Sequence, residues 1–238
     1  MHPTDKAARV AGAWYLSMVL TGPFTLLYIP AKLIVRGDAA ATASRILDHQ
    51  TMFLLGVAAD LVGSIIFVGA ALALYRLLEG VSRTRAAQMV AAVVVSAAIM
   101  CVNTLPNIAA LSLFRGGEFL AALDKPQREA LGMLFIRLHG QGNVVNEIFW
   151  GLWLLPLGLL VFRSGFLPRF IGVWLVINGV AYIALFIGLF APEYSSVAFR
   201  SAQPALFGEL ALMLWLLIKG AGGNIATVST RLPDPTGS

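Results

Sequence analysis

Three carboxylates interrupt long apolar runs of this chain: Asp60, Glu147 and Glu209, none with a lysine or arginine within two helical turns along the sequence. A charge placed near the middle of a bilayer costs about 2.5–3.5 kcal/mol by insertion scales, so such residues are rare and mark ion, proton or ligand sites. Other polar side chains accompany them at helical spacing. His139, Asn143 and Glu147 recur every four residues, as do Asn103 with Asn107, Asn178 with Tyr182, and Asp60 with Ser64. Residues four apart share one face of a helix. The expected ligand-binding set is therefore Asp60, Asn103, Asn107, His139, Asn143, Glu147, Asn178, Tyr182 and Glu209.

Several chemistries balance buried carboxylates. They hold a proton, accept hydrogen bonds from Asn and Tyr, pair with an imidazolium at His139, or bind a cation. Asn beside carboxylate suits oxygen coordination of a hard ion. His49 and His139 with Asp60 and Glu147 would suit a transition metal only if the second and fourth helices meet, and no HExxH or comparable tight ligand spacing is present. No metal and no cofactor are assigned. The chain also lacks a GxSxG elbow and a glycine-rich phosphate motif. The plainest alternative is that the polar groups only cross-link helices, at about 0.6 kcal/mol per average bond.

The elements that position these residues are membrane helices. Of 238 residues, 58% are hydrophobic and 12% charged, and the mean hydropathy is +0.81. Soluble domains carry roughly twice that charge, about 25%. Six runs approach or exceed the roughly 20 residues that a spanning helix needs: 9–30, 52–77, 87–113, 142–162, 170–191 and 203–219. The fold class is all-α, a polytopic six-helix bundle spanning residues 1–220, with a disordered cytoplasmic tail at 221–238. The first run is too long for a cleaved signal peptide and is read as an uncleaved helix. Cys101 is alone, so there is no disulfide framework.

Two long connections carry helices of their own. One is expected over 38–49. The other starts at Asp124 and Pro126 and stops at Gly140, with Leu131, Leu134, Phe135 and Leu138 forming an apolar stripe at i, i+3, i+4 and i+7. Both are expected to lie as amphipathic helices in the outer interface. Pro23, Pro106 and Pro156 are expected to kink their helices, and a kink at Pro106 would free carbonyls toward the polar groups. The basic residues sit between the apolar runs, where they meet anionic headgroups rather than nucleic acid. The turns holding Arg83, Arg85, Arg163 and Arg169 are the shortest, which places both termini in the cytoplasm. In that orientation Asp60 lies roughly 12 Å below the outer end of its helix, and the inner half carries almost nothing polar. The polar set then lines a pocket opening outward. Three ionised carboxylates would repel one another in low dielectric, so Glu147 is expected to hold its proton while the pocket is empty.

Arg9-Val-Ala-Gly-Ala-Trp14 matches Arg169-Phe-Ile-Gly-Val-Trp174, but the matching hairpins do not pair consistently and no internal repeat is assigned. A family resemblance is more specific. Gly151-Leu-Trp-Leu-Leu-Pro-Leu-Gly158, Arg163-Ser-Gly-Phe-Leu-Pro-Arg169 and Ile171-Gly-Val-Trp-Leu-Val-Ile-Asn-Gly-Val-Ala-Tyr182 resemble a bacterial family of unknown function, numbered 4386 among such domains. Lys32 to Ala43 and Ala58 to Leu61 are similar to it as well. The resemblance covers the chain from Arg9 to about Lys219. It implies a multi-pass inner-membrane protein and carries over no functional residue. The expected function is the binding of a small molecule, cation or proton, with transport as the leading use. The alternatives are a membrane-embedded enzyme acting on a lipid or amphiphile, and a structural or partner-binding bundle. The lipid bilayer is the one certain partner.

Overall fold

The computed structural model describes residues 3–187, 190, 204 and 207–221. All regular structure among them is helical. Helix α1 (Pro3–Pro23) runs through a π-helical turn, Phe24–Tyr28, into α2 (Ile29–Leu33). Then follow α3 (Ala39–Asp48), α4 (Gln50–Leu78), α5 (Arg83–Val102), α6 (Leu105–Arg115), α7 (Lys125–Arg163) and α8 (Arg169–Ile187). A last apolar helix, α9, is described over Phe207–Ile218.

Five stretches are long and apolar enough to cross a membrane: Asp5–Leu33, Gln50–Leu78, Arg83–Arg115, Lys125–Arg163 and Arg169–Phe186. This is a multi-pass membrane protein. The sixth run expected from the sequence corresponds to α9, which as described is shorter; its expected start at residue 203 lies outside the described residues. So does the tail expected beyond Ala221.

The long helices pack in chain order, α1 on α4, α4 on α5, α5 on α7 and α7 on α8. Helix α9 closes the ring, with Leu216 and Leu217 against Gly12 of α1 and Gly208 against Trp174 of α8. The Ala221 amide donates to the Asp5 carboxylate at 3.2 Å, tying the end of α9 to the start of α1. Small residues set the closest approach. A β-carbon at Gly158 would stand 2.6 Å from the Gly172 carbonyl oxygen, and one at Gly151 2.5 Å from that of Gly179. The α7–α8 seam is therefore backbone against backbone, as membrane helices permit where glycines face each other.

Two apolar cores form inside the ring. One lies at the end carrying Arg76, Arg83, Arg163 and Arg169 and is built around Phe67, Leu74, Met89, Trp153, Leu157 and Leu175. The other lies toward the opposite end, around Leu33, Ile46, Phe53, Phe114, Met133 and Ile136. Trp153 sits edge-on to Phe67, with ring centroids 5.0 Å apart, and tilted against Tyr15 at 5.9 Å, plugging the centre of the first core.

The second long connection differs from expectation. Asp124 caps α7 as predicted, accepting from the Gln127 amide at 2.8 Å while the Gln127 side chain accepts from the Asp124 amide at 3.0 Å. Gly140 does not stop the helix, which runs unbroken for 39 residues from Lys125 to Arg163. No separate interfacial helix forms there. A glycine costs a helix only about 1 kcal/mol, and packing against α5, α6 and α8 outweighs that. The expected apolar stripe is also turned outward: Leu131, Leu134 and Leu138 are 38%, 59% and 47% exposed, while Gly132, Met133 and Ile136 are buried. The reason lies at Gly132, whose missing side chain admits the Phe114 ring of α6. The first connection does form its helix, α3, capped by Asp38 and burying Thr42, Ala43 and Ile46. Pro156 lies within α7 without interrupting it.

Candidate functional site

The polar residues of interest fall between the two apolar cores. Helix α7 touches α3, α5, α6 and α8, so side chains on its different faces meet different neighbours at this level.

The first group joins α4, α7 and the α5–α6 junction. Helix α5 breaks at Asn103 and Thr104, ahead of Pro106, which offers no amide for a continuing helical bond. The break turns the Asn103 carbonyl toward His139, whose Nδ1 lies 2.7 Å away. The Asn103 amide donates at 2.9 Å to both the His139 carbonyl and the Asn143 side-chain oxygen. Gly142 makes the approach of Asn103 possible, since a side chain there would collide with it. On its other side His139 Nε2 faces the Asn143 amide at 3.5 Å and the Asp60 carboxylate at 3.9 Å. Thr25, on the π-helical turn of the first span, lies near Asp60 as well, its hydroxyl donating to the Gly22 carbonyl at 3.3 Å.

These contacts fix the chemistry of the imidazole. A carbonyl oxygen only accepts, so Nδ1 carries the hydrogen. The lone pair of the neutral ring is then on Nε2, aimed at Asn143 and Asp60. A proton arriving at Nε2 would create an imidazolium beside a carboxylate, with its geometry already set by the second nitrogen.

The second group joins α1, α8 and α9. Glu209 accepts from the Tyr15 hydroxyl at 2.9 Å and from the Asn178 amide at 3.2 Å, and Tyr182 lies beside the same carboxylate. Glu147 lies near Tyr182, whose ring meets Trp150 edge-on at 5.8 Å. Among the described residues no side-chain hydrogen bond of Glu147 is present. Asn107 is buried on α6 and likewise makes no side-chain bond to either group. His49 is exposed at the start of α4, away from the first group. His139 lies inside α7, which runs through it.

The predicted residues thus assemble as two groups, Asp60–Asn103–His139–Asn143 and Asn178–Glu209, with Tyr182 and Glu147 beside the second. Along α7 from Arg163, Glu147 stands about 24 Å and His139 about 36 Å up the helix, whereas Glu209 is about 15 Å above Lys219 on α9. The second group therefore lies nearer the Arg163 end of the ring than the first. Nothing among the described residues shows the outward-opening pocket expected from the sequence. A shallow groove of about 470 Å³, lined by Ala98, Ile99, Val102, Asn103, Leu105 and Pro106, instead reaches Asn103 at the helix break. No cluster of three or more His, Cys, Asp or Glu that could hold a metal occurs among the described residues.

Sequence reasoning missed Tyr15, Thr25, Ser96 and Asn146. Thr25 carried one signal, its place between Pro23 and Pro30, where a regular helix is hardest to keep.

Residues 10–220 match the family described as "Domain of unknown function (DUF4386)". The chain belongs to the DUF4386 family. The match spans all the helices that build the ring, as the Gly151–Gly158 and Ile171–Tyr182 stretches implied. This DUF4386 protein is also similar to an uncharacterized protein of Archaeoglobus fulgidus, 33% identical over 78 residues, which cover 32% of this chain and 44% of that protein. The match thus spans less than half of that relative. No solved structure matches the chain.

Proposed function

We propose that this protein binds protons in its polar layer and carries them, alone or with a small cationic solute, across the membrane. The observation that carries the reading is the His139 imidazole, held through Nδ1 by the Asn103 carbonyl while Nε2 faces Asp60. That geometry gives a proton a defined acceptor with a compensating carboxylate beside it. Glu209 with Tyr15, Asn178 and Tyr182 forms a second station, and Glu147 beside Tyr182 holds its proton until a cation displaces it.

The test is proton entry into vesicles containing purified protein, a trapped pH dye and an imposed proton gradient. The native chain is expected to acidify the lumen, and Asp60→Asn and His139→Gln each to slow the initial rate at least tenfold. A native rate no faster than that of empty vesicles, with candidate solutes absent and present, would sink the reading.

Orientation belongs to the same proposal. The short turns holding Arg83, Arg85, Arg163 and Arg169 at one end of the ring support a cytoplasmic side for that end and for both termini. A cytoplasm-active reporter fused after Ser238 should be active and a periplasm-active one silent; the reverse outcome inverts the topology.

One observation favours a second reading. The groove that reaches Asn103 is lined almost wholly by apolar side chains, a route by which a lipid or other amphiphile would approach His139. Turnover of such a molecule lost in His139→Gln would replace the carrier with an enzyme.

A further inference from the structure

The facing surfaces of α5 and α7 repeat their polar register one step deeper. Asn146 follows His139 by seven residues on α7, and Ser96 precedes Asn103 by seven on α5. In the antiparallel pair these shifts move the same way, so Asn146 meets Ser96 about 10 Å below the His139–Asn103 contact. The Asn146 amide donates to the Ser96 carbonyl at 3.4 Å. Both side chains are fully withdrawn from solvent, at 1% and 0% exposure. Yet Asn146 Oδ1 and Ser96 Oγ have no hydrogen-bond partner among the described residues.

The orphaned hydroxyl is unusual within this molecule. Ser17, Ser64 and Ser112 each bond the carbonyl four residues earlier in their own helix. Ser96 does not, and it faces the one buried amide that also lacks a partner on that seam. Buried polar atoms left in this way are costly, and an internal water is the usual remedy.

We propose that Ser96 and Asn146 form a buried water site between α5 and α7, one step below the Asp60–His139 pair. The occupant must donate to Asn146 Oδ1 and exchange a hydrogen bond with Ser96 Oγ, and water does both. A sodium ion fits poorly. It wants five or six oxygen ligands, only two are free, and the Asn146 amide hydrogens point into the same seam. Deeper still, the next residue on this face is Trp153, edge-on against Phe67, so the seam ends in apolar packing. The water is thus the last polar stop on that side of α7. Its use as a relay for a proton leaving His139 rests on the proposed proton binding; its presence does not.

The experiment is millisecond radiolytic footprinting of the full chain in lipid nanodiscs, read by mass spectrometry. A bound water generates hydroxyl radicals in place, and the reactive side chains one turn away are Met100 on α5 and Trp150 on α7. Both are expected to be oxidised in the native protein, far more than the fully buried Trp153. Oxidation should fall at least fivefold in Ser96→Ala/Asn146→Leu and about halfway in Ser96→Ala alone, the milder change should the double variant fold poorly. Labelling of Met100 and Trp150 no higher than that of Trp153, or unchanged in Ser96→Ala, overturns the site. Asp60→Asn should leave the labelling intact whatever it does to proton entry, which separates failure of the site from failure of the proton reading. A double variant that has lost labelling but carries protons at the native rate overturns the relay role.

Discussion

Gly158→Leu should leave no folded, monodisperse protein, whereas Gly140→Ala in the same helix should be neutral or raise the melting temperature. The two glycines differ only in what faces them. A β-carbon at Gly140 meets nothing within 4 Å, while one at Gly158 stands 2.6 Å from a backbone oxygen of α8 and 2.7 Å from a Val176 methyl. Overpacking a core costs about 1–3 kcal/mol when side chains can move aside. Here the obstacle is main chain, reciprocated at Gly172, where a β-carbon would stand 2.6 Å from the Gly158 carbonyl oxygen. Relief requires separating α7 from α8 along the seam that aligns Glu147 with Tyr182. Gly140→Ala instead removes a helix-interior glycine, worth up to about 1 kcal/mol. Thermal melts in detergent with size-exclusion profiles check both. A well-folded Gly158→Leu would mean that the close α7–α8 approach is wrong.

Much of the architecture was legible because membrane helices announce themselves by length and composition, and because a carboxylate in an apolar run is conspicuous. Of the i+4 sets, His139 and Asn143 do meet Asn103, whereas Asn107 and Glu147 do not join that group. What the sequence could not carry was register between helices. Ser96 stands alone in its run and Asn146 falls off the four-residue series His139, Asn143 and Glu147, so the two become a pair only when α5 and α7 align. Tyr15 lies 194 residues from Glu209, a contact that exists only because α9 closes the ring against α1. The reading of the second long connection failed for a different reason. Amphipathic spacing identifies an apolar face without saying what covers it, and at Leu131, Leu134 and Leu138 the covered face proved to be the neighbouring one. Small residues decided that choice, since Gly132 accepts an aromatic ring where a leucine would not.

Around Glu209 the same logic predicts a large and specific cost. Asn178→Leu should lower stability by about 2 kcal/mol, because it removes one of the donors to a buried carboxylate and leaves that acceptor short. An ordinary interhelical hydrogen bond in a membrane is worth only about 0.6 kcal/mol, so the size of the loss reports that the partner is a carboxylate rather than a generic polar group. Glu209→Gln should be far milder. The Asn178 side-chain oxygen is buried without a partner, and a rotated Asn178 amide would offer it to the new Gln amide while Tyr15 continues to donate to the Gln oxygen. Adding Glu209→Leu to Asn178→Leu should recover much of the loss, since no polar atom of the pair then remains buried. Unfolding of Asn178→Leu, Glu209→Leu and the double variant, taken with the native chain as a double-mutant cycle, measures the coupling directly. A cycle that closes with no coupling would mean Glu209 draws nothing from Asn178, and that the Tyr15 hydroxyl holds the second station alone.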